Sequence, residues 1–397
     1  MAPLLSIDEA LARVLARVRP LEAERVPVIG VAGRVLAEDV VADVDLPPFA
    51  SSAMDGFAIR AGDVPGRLPV VARIAAGLPA ERTLEQGEAM EISTGGAVPE
   101  GADSVVPVEL VVQTDNTIEV AEPVELGANV RPPGGDIGSG DLLLAAGTVL
   151  GAAQIGALAA AGVSEVSCVR RPVVAVLSTG TELRPPGEPL GPGQIYESNG
   201  PMLAAALQSA GAIVGTIAPV LDEEDAHRDA LERGLEADVL VTSGGVSVGP
   251  HDLVRTILAE LGVEEDFWGV AVRPGKPLAF GTRGATLVFG LPGNPVSALV
   301  AVELFVRPAL LALQSATDPG PHYERAHLAS PLRRNHRRDE LARARRARAG
   351  DETVLEPVTG QESHMIARAA AADALVFVPR GEGELAAGAS VRYLRLG

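Results

Sequence analysis

The segment VVAVLSTG, residues 173–180, decides the fold class of this chain, because an uninterrupted apolar run ends there in small residues. Such a run is typical of a strand that is covered on both faces of a sheet. Three further segments have the same character: GAIVGTIAPV at 211–220, ADVLVTSGG at 237–245 and ATLVFGLPG at 285–293. We therefore predict a set of buried parallel strands between residues 173 and 293.

Helical segments alternate with these strands at 200–210, 225–236, 251–261 and 295–312. This alternation predicts a right-handed, doubly wound parallel sheet, and we assign it to an α/β domain at residues 172–325.

Three further domains are predicted around the α/β domain. Ser6 and Glu9 form a capping box that begins a helix at 6–18, and a second helix is predicted at 151–161. The predicted domains are a discontinuous helical and linker domain at 1–45 and 141–171, a β-rich domain at 46–140, and a small β-barrel-like domain at 326–397. The chain is thus predicted to be an α/β multidomain protein.

Composition excludes several classes of function. The net charge of −19 argues against a general nucleic-acid binder, because phosphate backbones require basic surface. The apolar run at 296–306 contains Glu303 and is shorter than the ~20 residues of a membrane span, and the N-terminal residues lack the pattern of a signal peptide. We therefore expect a cytoplasmic protein with no nucleic-acid or membrane partner.

Cys168 is the one cysteine, which excludes an internal disulfide and fits a reducing compartment. No histidine has the spacing to another histidine or cysteine that a zinc site needs.

Three predicted strands end in loops of small residues. In an open parallel sheet, ligands bind beyond the carboxyl ends of the strands, and glycines let backbone N–H groups approach an anion. The loops therefore predict a phosphate-bearing ligand, although tight turns alone would also use glycine and proline. None has a P-loop or G-x-G-x-x-G pattern, so ordinary ATPases and NAD dehydrogenases are poor interpretations. The candidate ligand-binding residues are Thr179, Gly180, Ser243, Gly244, Gly245, Pro292, Gly293, Asn294 and Pro295.

Acidic residues follow three of the predicted strands: Glu182 follows 173–180, Asp222 follows 211–220 and Asp252 follows 237–245. A phosphate site lined by Glu182, Asp222 and Asp252 would repel its ligand unless a cation intervened, so we predict a Mg²⁺ site there. Arg273 and Lys276, in the segment R-P-G-K, would supply positive charge for an oxyanion. Lys276 is the only lysine among the 33 basic residues, which is either chance or a requirement for a compact ammonium group.

Three loops before residue 142 and one arginine-rich stretch near the C-terminus are further candidate segments. Small residues surround Asp55, Thr94 and Asp136 in loops at 47–60, 93–106 and 131–141, where they indicate either tight turns or a further site. The stretch RRNHRRDELARARRAR at 333–348 is interpreted from composition as a solvated face with local charge balance.

Seven motifs occur in one order, and together they resemble those of the molybdopterin molybdenumtransferases, the molybdenum insertases related to the E domain of gephyrin. The resemblance extends from about Ser6 to the C-terminus. The motifs are S-x-M-D-G-F-A, S-T-G-G-A-V-P-x-G-A-D, R-P-P-G-G-D-I, S-T-G-T-E-L, S-G-G-V-S-V-G-x-x-D, R-P-G-K-P-x-x-F-G and L-P-G-N-P-V-S-A.

The resemblance implies an elongated homodimer of four-domain subunits that inserts molybdenum from molybdate into adenylylated molybdopterin, releasing AMP and molybdenum cofactor. The cleft would lie between the α/β domain of one subunit and the N-terminal domains of the other, which would bring Asp55, Thr94 and Asp136 into the site. A molybdopterin adenylyltransferase and apo-molybdoenzymes would be possible partners.

The resemblance also implies roles for single residues. Glu182, Asp222 and Asp252 would line the nucleotide and metal side, with Asp222 and Asp252 as the metal ligands. The loops at Gly244–Ser247 and Pro292–Pro295 would hold the pterin phosphate and the nucleotide. The implied molybdate pocket comprises Arg273, Lys276, Pro277, Arg343 and Ser363.

Two positions depart from the family pattern. Many relatives carry a basic residue after the aromatic pair F-W, where this chain has Gly269, and they often read K-P-G-K where this chain has Arg273.

Two alternatives stay open from the sequence. One is a molybdopterin adenylyltransferase. That family has a G-G-T-G loop where this chain has SGGVSVGPHDL, and it lacks the other domains predicted for this chain. The other is a non-catalytic scaffold, for which no peptide groove is evident in the sequence.

Overall fold

The computed structural model describes residues 4–220, 224–245 and 253–396. The chain begins with helix α1, Ile7–Arg17, whose N-terminus has the predicted capping box between Ser6 and Glu9. The rest of this N-terminal region consists of short antiparallel pairs and a second helix, which together enclose a small apolar core. Its elements are β1 (Ala23–Pro27), β2 (Val40–Val41), β11 (Leu142–Leu144), α2 (Ala152–Ala160) and β12 (Glu165–Val169), with β1 paired to β12 and β2 to β11.

A β-rich unit is inserted between β2 and β11. Six of its strands form one sheet in the order β7-β4-β6-β5-β9-β8, and the short strands β3 and β10 pair with each other at its side. The strands are β3 (Ser51–Ser52), β4 (Gly56–Ile59), β5 (Gly66–Ile74), β6 (Ala89–Ile92), β7 (Ser104–Pro107), β8 (Val111–Thr114), β9 (Thr117–Val120) and β10 (Val130–Arg131).

The predicted α/β domain follows, and its sheet is mixed. Its six-stranded sheet contains β13 (Val173–Thr179), β16 (Ile213–Val220), β17 (Val239–Ser243), β18 (Glu264–Trp268), β20 (Ala279–Arg283) and β21 (Thr286–Leu291). The order is β16-β13-β17-β21-β20-β18, in which the first four strands are parallel as predicted. The last two are antiparallel and were not expected in this sheet. Two short strands, β14 (Leu183–Arg184) and β15 (Ile195–Tyr196), follow β13 and pair with each other outside this sheet.

Helices cover both faces of this sheet, which confirms the doubly wound arrangement. The helices are α3 (Asn199–Ser209), α4 (Glu224–Gly234), α5 (Leu253–Glu260), α6 (Pro295–Ala301) and α7 (Arg307–Leu313). Alternate side chains of the parallel strands pack on α3, α6 and α7 on one face, and on α4 and α5 on the other. This two-sided burial is the physical reason for the continuous apolar runs in the sequence.

The segment Pro295–Leu313 is continuously helical, because a π-helical turn at Val302–Val306 joins α6 to α7. It is therefore a longer apolar helix than the sequence run at 296–306 indicated, and it is the one described helix long and apolar enough to cross a membrane. Most of it is buried inside the protein, as in a core helix, and Glu303 is paired there with Arg307 at 2.9 Å.

The C-terminal residues form a small barrel. Its strands are β22 (Tyr323–Leu328), β24 (Asp339–Ala349), β25 (Glu352–Pro357), β26 (Ala374–Val378) and β28 (Ser390–Arg395), with a short pair, β23 (Leu332–Arg333) and β27 (Glu384–Leu385), and a helical turn α8 (Ile366–Ala369) beside them. The pairings β24-β25-β22-β28-β26 return to β24 and close the ring. Strand β19 (Val272–Arg273), from the α/β domain, pairs in parallel with the start of β24 and so joins the barrel to that domain.

Gly56 gives a test of how tightly the β-rich sheet is packed. A Cβ at Gly56 would lie 2.1 Å from the carbonyl oxygen of Val106, whereas a Cβ at Gly62 meets nothing within 4 Å. Gly56→Ala is expected to lower the free energy of unfolding of this unit by about 2 kcal/mol or more, because the β4–β7 backbones must separate. Gly62→Ala is the matched control and should change it by less than about 0.5 kcal/mol. Equal denaturation midpoints for both variants would contradict the close packing.

Candidate active site

Asp55 and Thr94, from two loops of the β-rich sheet, are in direct contact. The Thr94 N–H donates to Asp55 Oδ1 at 2.7 Å, and the Thr94 hydroxyl donates to the same oxygen at 3.1 Å. These bonds hold the pKa of Asp55 below its ordinary value, and the backbone N–H is the larger cause. Because Asp55 is exposed, it presents an ionised carboxylate to solvent.

The three small-residue loops of this unit converge on Ser51–Ser52. Ser52 exchanges backbone hydrogen bonds with Gly95 and Gly96, and it pairs with Val130 at the entrance to the third loop. Asp136 in that third loop is exposed, with its N–H bonded to Leu46 at 2.9 Å, and no described residue donates to its carboxylate. The loops that carry Asp55, Thr94 and Asp136 thus belong to one cluster.

The three strand-end loops of the α/β domain also come together. The register places Ser178 beside Ser243 and Ser243 beside Leu291, so the loops that follow all begin at one level of the sheet. Gly244 N–H donates to the Leu291 carbonyl at 3.1 Å and joins the second loop to the third.

Glycine is required at Gly244 and Gly245, where the second loop approaches the first, and Gly293 lies in ordinary contact with Gly244. Gly244 and Gly245 have φ values of 91° and 64°, in the left-handed region. A Cβ at Gly244 would lie 2.9 Å from the carbonyl oxygen of Thr179, and one at Gly293 would lie 3.7 Å from Gly244 Cα. Thr179 and Gly180, Ser243–Gly245 and Pro292–Pro295 therefore form one glycine-lined edge, which is the arrangement that a phosphate-bearing ligand needs.

Two buried polar residues at this edge were not predicted from the sequence. Asn199 Nδ2 donates to Ser243 Oγ and to the Gly293 carbonyl, each at 2.7 Å, and so connects the second and third loops. Glu197 accepts from the Ser178 hydroxyl at 3.1 Å and from the Gly200 N–H at 2.7 Å. The polar segment Y-E-S-N-G at 196–200, directly before a helix in an apolar domain, was the available signal.

The predicted metal side is described only in part. Asp222, Ser247 and Asp252 lie outside the described residues. Glu182 is described: its carboxylate folds back over Gly180, where a Cβ would lie 2.6 Å from Glu182 Oε2, and no described basic residue pairs with it. Within the described ranges no group of three His, Cys, Asp or Glu side chains forms a metal site. The magnesium site thus stays a prediction.

The R-P-G-K loop carries two cations with different surroundings. Arg273 Nη1 lies 3.3 Å from Glu340 Oε2, and the Glu340 carboxylate is almost fully buried. Burial raises the pKa of Glu340, and the charge of Arg273 acts in the opposite direction. The Lys276 ammonium lies 5.9 Å from the ring centroid of Trp268, and Pro277 beside it is half-buried.

Gly269, one of the two departures from the family pattern, has a structural reason in this chain. Its φ is 90°, and a Cβ there would lie 2.7 Å from Leu4 Cδ2. Leu4 would therefore have to move before this position could carry a basic side chain.

Arg343 is a fully buried side chain and is not part of a solvated face. Its guanidinium donates to the carbonyls of Gly360, Met365 and Glu362 at 2.9, 3.2 and 3.3 Å, and to Gln361 Oε1 at 3.3 Å. The interpretation of 333–348 as a solvated face is therefore wrong at this position, because both faces of β24 are covered at 340–344 and the 360–365 loop lies over the Arg343 side chain. These bonds use four of the five guanidinium N–H groups, so Arg343 holds the 360–365 loop and has one Nη1 N–H without a partner among the described residues.

The loop that Arg343 holds is docked on the α/β domain. The Ser363 carbonyl accepts from the Val296 N–H at 3.1 Å, which satisfies an N–H in the first turn of α6. Pro295 is the first residue of that helix, where a backbone N–H has no partner within the helix, so its absence removes no hydrogen bond. Gly275 lies close to the same turn, since a Cβ there would be 3.6 Å from the Ser297 carbonyl oxygen. The R-P-G-K loop, the P-G-N-P turn and the Ser363 loop thus form one corner.

The described residues therefore form two clusters, one from the β-rich unit and one from the α/β domain with the barrel. No hydrogen bond or ion pair between described residues joins the loops of Asp55, Thr94 and Asp136 to the strand-end loops or to the R-P-G-K loop.

Three family models match successive parts of the chain. They are the MoeA N-terminal region (domain I and II) at residues 5–162, the probable molybdopterin binding domain at 175–312, and the MoeA C-terminal region (domain IV) at 325–396.

Full-length relatives agree with these matches. The chain is 37% identical to molybdopterin molybdenumtransferase 2 of Mycobacterium tuberculosis, with 97% of each chain covered. It is also 37% identical to the molybdopterin molybdenumtransferase of Synechococcus elongatus, with 99% of this chain and all of the relative covered. A solved structure of the molybdopterin biosynthesis MoeA protein from Pyrococcus horikoshii is 32% identical, with 99% of each chain covered and a TM-score of 0.77.

The contact between Asp55 and Thr94 makes a prediction about pH. Because the pKa of Asp55 is lowered in the folded protein, its contribution to stability is present above the ordinary value of 3.8 and is lost as the pH falls through the lowered value. Thr94→Val removes the hydroxyl and keeps the N–H, so the pKa should rise part of the way to 3.8. Carbon-detected NMR titration of the Asp55 carboxyl measures both values. An ordinary pKa in the unmodified protein would contradict the contact.

Arg343 makes a second prediction, about the loop that it holds. Arg343→Met keeps most of the buried volume, removes all four guanidinium bonds and leaves the Gly360 carbonyl without a donor among the described residues. It should therefore destabilise the barrel by about 2 kcal/mol and speed amide exchange at 358–366. Arg345→Met is the control on the same strand, since Arg345 is exposed and pairs with Glu356, and it should cost less than about 1 kcal/mol. Exchange that is equal in both variants would show that Arg343 does not hold the loop.

Proposed function

We propose, from the premise that this chain belongs to the molybdopterin molybdenumtransferase family, that it inserts molybdenum from molybdate into adenylylated molybdopterin, releasing AMP and molybdenum cofactor. The observation that carries this proposal is the corner where the R-P-G-K loop, the first turn of α6 and the Ser363 loop meet beside the glycine-lined strand ends. This corner supports a site for an oxyanion next to a site for a phosphate-bearing substrate.

The local charge supports an oxyanion at this corner. The chain as a whole is strongly acidic, so an anionic substrate needs a local concentration of positive charge. Arg273 and Lys276 supply it from one turn, and Glu340 compensates only Arg273 within hydrogen-bonding distance. A dianion such as molybdate is stabilised by charged donors that are already in position before it binds.

The strand-end loops suit the adenylylated phosphate. The positive-φ glycines Gly244 and Gly245 let the backbone approach a ligand without an intervening side chain. The Gly244 N–H is itself bonded to the Leu291 carbonyl, and the bond from Asn199 to Gly293 keeps the third loop in place. No nucleophile from the protein is needed, because an oxygen of water or of molybdate would attack the phosphoanhydride of the substrate, whose P–O bond breaks to release AMP.

Magnesium belongs to the proposal, with Asp222 and Asp252 as its ligands. Glu182, whose carboxylate lies at the edge of Gly180 without a basic partner among the described residues, fits a site that holds a cation. When bound, the ion would neutralise charge on the adenylyl phosphate.

The proposal includes a homodimer in which the Asp55 cluster of one subunit completes the site of the other. The separation of the two clusters within one chain supports it. Exposed apolar side chains support it as well: Phe49 and Met54 flank the Asp55 loop, and Ile29 is 97% exposed. Large apolar side chains at a surface are typical of protein interfaces.

We further propose a cytoplasmic setting, with a molybdopterin adenylyltransferase supplying the substrate and apo-molybdoenzymes receiving the product. The buried, unpaired Cys168 is compatible with a reducing compartment.

The proposal is tested with purified protein, adenylylated molybdopterin, Mg²⁺ and either molybdate or tungstate. Molybdate-dependent AMP release, together with a product that reactivates an apo-molybdoenzyme, would support the insertase. Release only with tungstate would change the metal and keep the reaction class. Tight substrate binding without release in either tube would refute the proposed activity and favour a carrier or scaffold.

Lys276 makes the sharpest prediction of this proposal. Lys276→Ala removes the only ammonium side chain of the chain, so kcat/KM for molybdate should fall by about 100-fold or more while the melting temperature stays the same. Arg67→Ala is the control, because Arg67 is an exposed cation of the β-rich sheet paired with Glu119, and it should leave the activity unchanged. Full activity in Lys276→Ala would refute the assigned role of the R-P-G-K loop.

A further inference from the structure

Trp268, the one tryptophan of the chain, lies beside the cationic corner and was assigned no role by the motifs. It ends β18, where it pairs with Ala279 on the neighbouring strand. Two cations approach its ring: Lys276 Nζ and Arg255 Cζ each lie 5.9 Å from the ring centroid. Both distances are within the range of a cation–π attraction.

The backbone of Lys276 is held in place independently of its side chain. Its carbonyl accepts from the N–H groups of Val270 and Leu278 at 3.1 and 2.9 Å. These bonds set where the Lys276 Cα lies, but they do not determine the direction of a side chain with four rotatable bonds.

The indole is the contact that the described residues make with the Lys276 ammonium. Among these residues, no hydrogen-bond acceptor or carboxylate lies within bonding distance of Nζ, so the ring of Trp268 is the attraction that they offer. Arg273 in the same loop differs, because the carboxylate of Glu340 lies 3.3 Å away and partly compensates its charge.

A cation–π contact differs from an ion pair in its effect on charge. The quadrupole of the ring attracts the ammonium but adds no opposing net charge, so the full positive charge stays available to an incoming anion. An ion pair in the same place would orient the ammonium and weaken its attraction for the anion.

We propose that Trp268 is the positioning residue for Lys276, holding the ammonium in the oxyanion site without neutralising it. This inference rests on the proposed function. Arg255 has another partner, since it binds Glu265 through two hydrogen bonds of 2.9 and 3.0 Å, and it connects α5 to the indole without belonging to the oxyanion site.

The test compares Trp268→Phe, Trp268→Leu and Arg255→Gln with the unmodified protein. Calorimetric titration with molybdate gives the dissociation constant, and steady-state AMP release gives separate KM values for molybdate and for adenylylated molybdopterin. Trp268→Leu should weaken molybdate binding and raise the molybdate KM by about 3- to 10-fold, because it removes the ring face. The KM for adenylylated molybdopterin should stay within about twofold, and Trp268→Phe, which keeps a ring, should restore most of the loss.

Three outcomes would overturn the inference. Unchanged molybdate binding in Trp268→Leu would show that the indole does not position Lys276. An equal rise in both KM values would show that Trp268 only supports the fold. An Arg255→Gln variant with the same loss as Trp268→Leu would show that the ring acts by anchoring α5. If the unmodified protein neither binds molybdate nor releases AMP, the proposed function fails and this inference fails with it.

Discussion

The parallel register of three strands is the constraint on which the site depends. Ser178, Ser243 and Leu291 lie side by side, so the loops after β13, β17 and β21 leave the sheet at one level. Because the strands are parallel, their carboxyl ends share an edge, and the glycines that follow can approach each other and a ligand. A shift of one residue in any of these strands would move its loop out of the edge and reverse the faces of its side chains.

A second, smaller contact attaches the C-terminal barrel to this edge. Val272 and Arg273 pair with Asp339 and Glu340, and the Ser363 carbonyl accepts from Val296. These few bonds bring a buried carboxylate beside Arg273 and an ordered loop beside α6. The barrel therefore takes part in the electrostatics of the corner. It has an apolar cluster of its own, and Leu341, Leu375 and Leu394 on its strands also pack in the core of the α/β domain.

Several buried polar groups at this corner have hydrogen-bond partners, as the cost of burying them requires, whereas Asn199 Oδ1 has none among the described residues. Arg343 gives its donors to the loop at 360–365, and Asn199 connects two ligand loops. In an acidic chain, this leaves Lys276, which lies against an aromatic ring, as a cation of the corner that no described carboxylate compensates within hydrogen-bonding distance.

The sequence by itself determined the fold class, the four parallel strands, the helices between them, the α1 capping box and the motifs that mark the loops. These features depend on residues close together in the chain. A continuous apolar run indicates a strand buried on both faces, and a glycine indicates left-handed backbone within a few residues. Only the tertiary structure decided the antiparallel strands β18 and β20, the continuous helix at Pro295–Leu313 and the places of Arg343, Asn199 and Trp268. Arg343 is identical in type to the exposed arginines around it, and it differs because β24 pairs with β26 on one side and places the 360–365 loop over its side chain. Such contacts join residues far apart in the chain. A local pattern of hydrophobicity or secondary-structure propensity therefore cannot predict which of several arginine side chains will be buried.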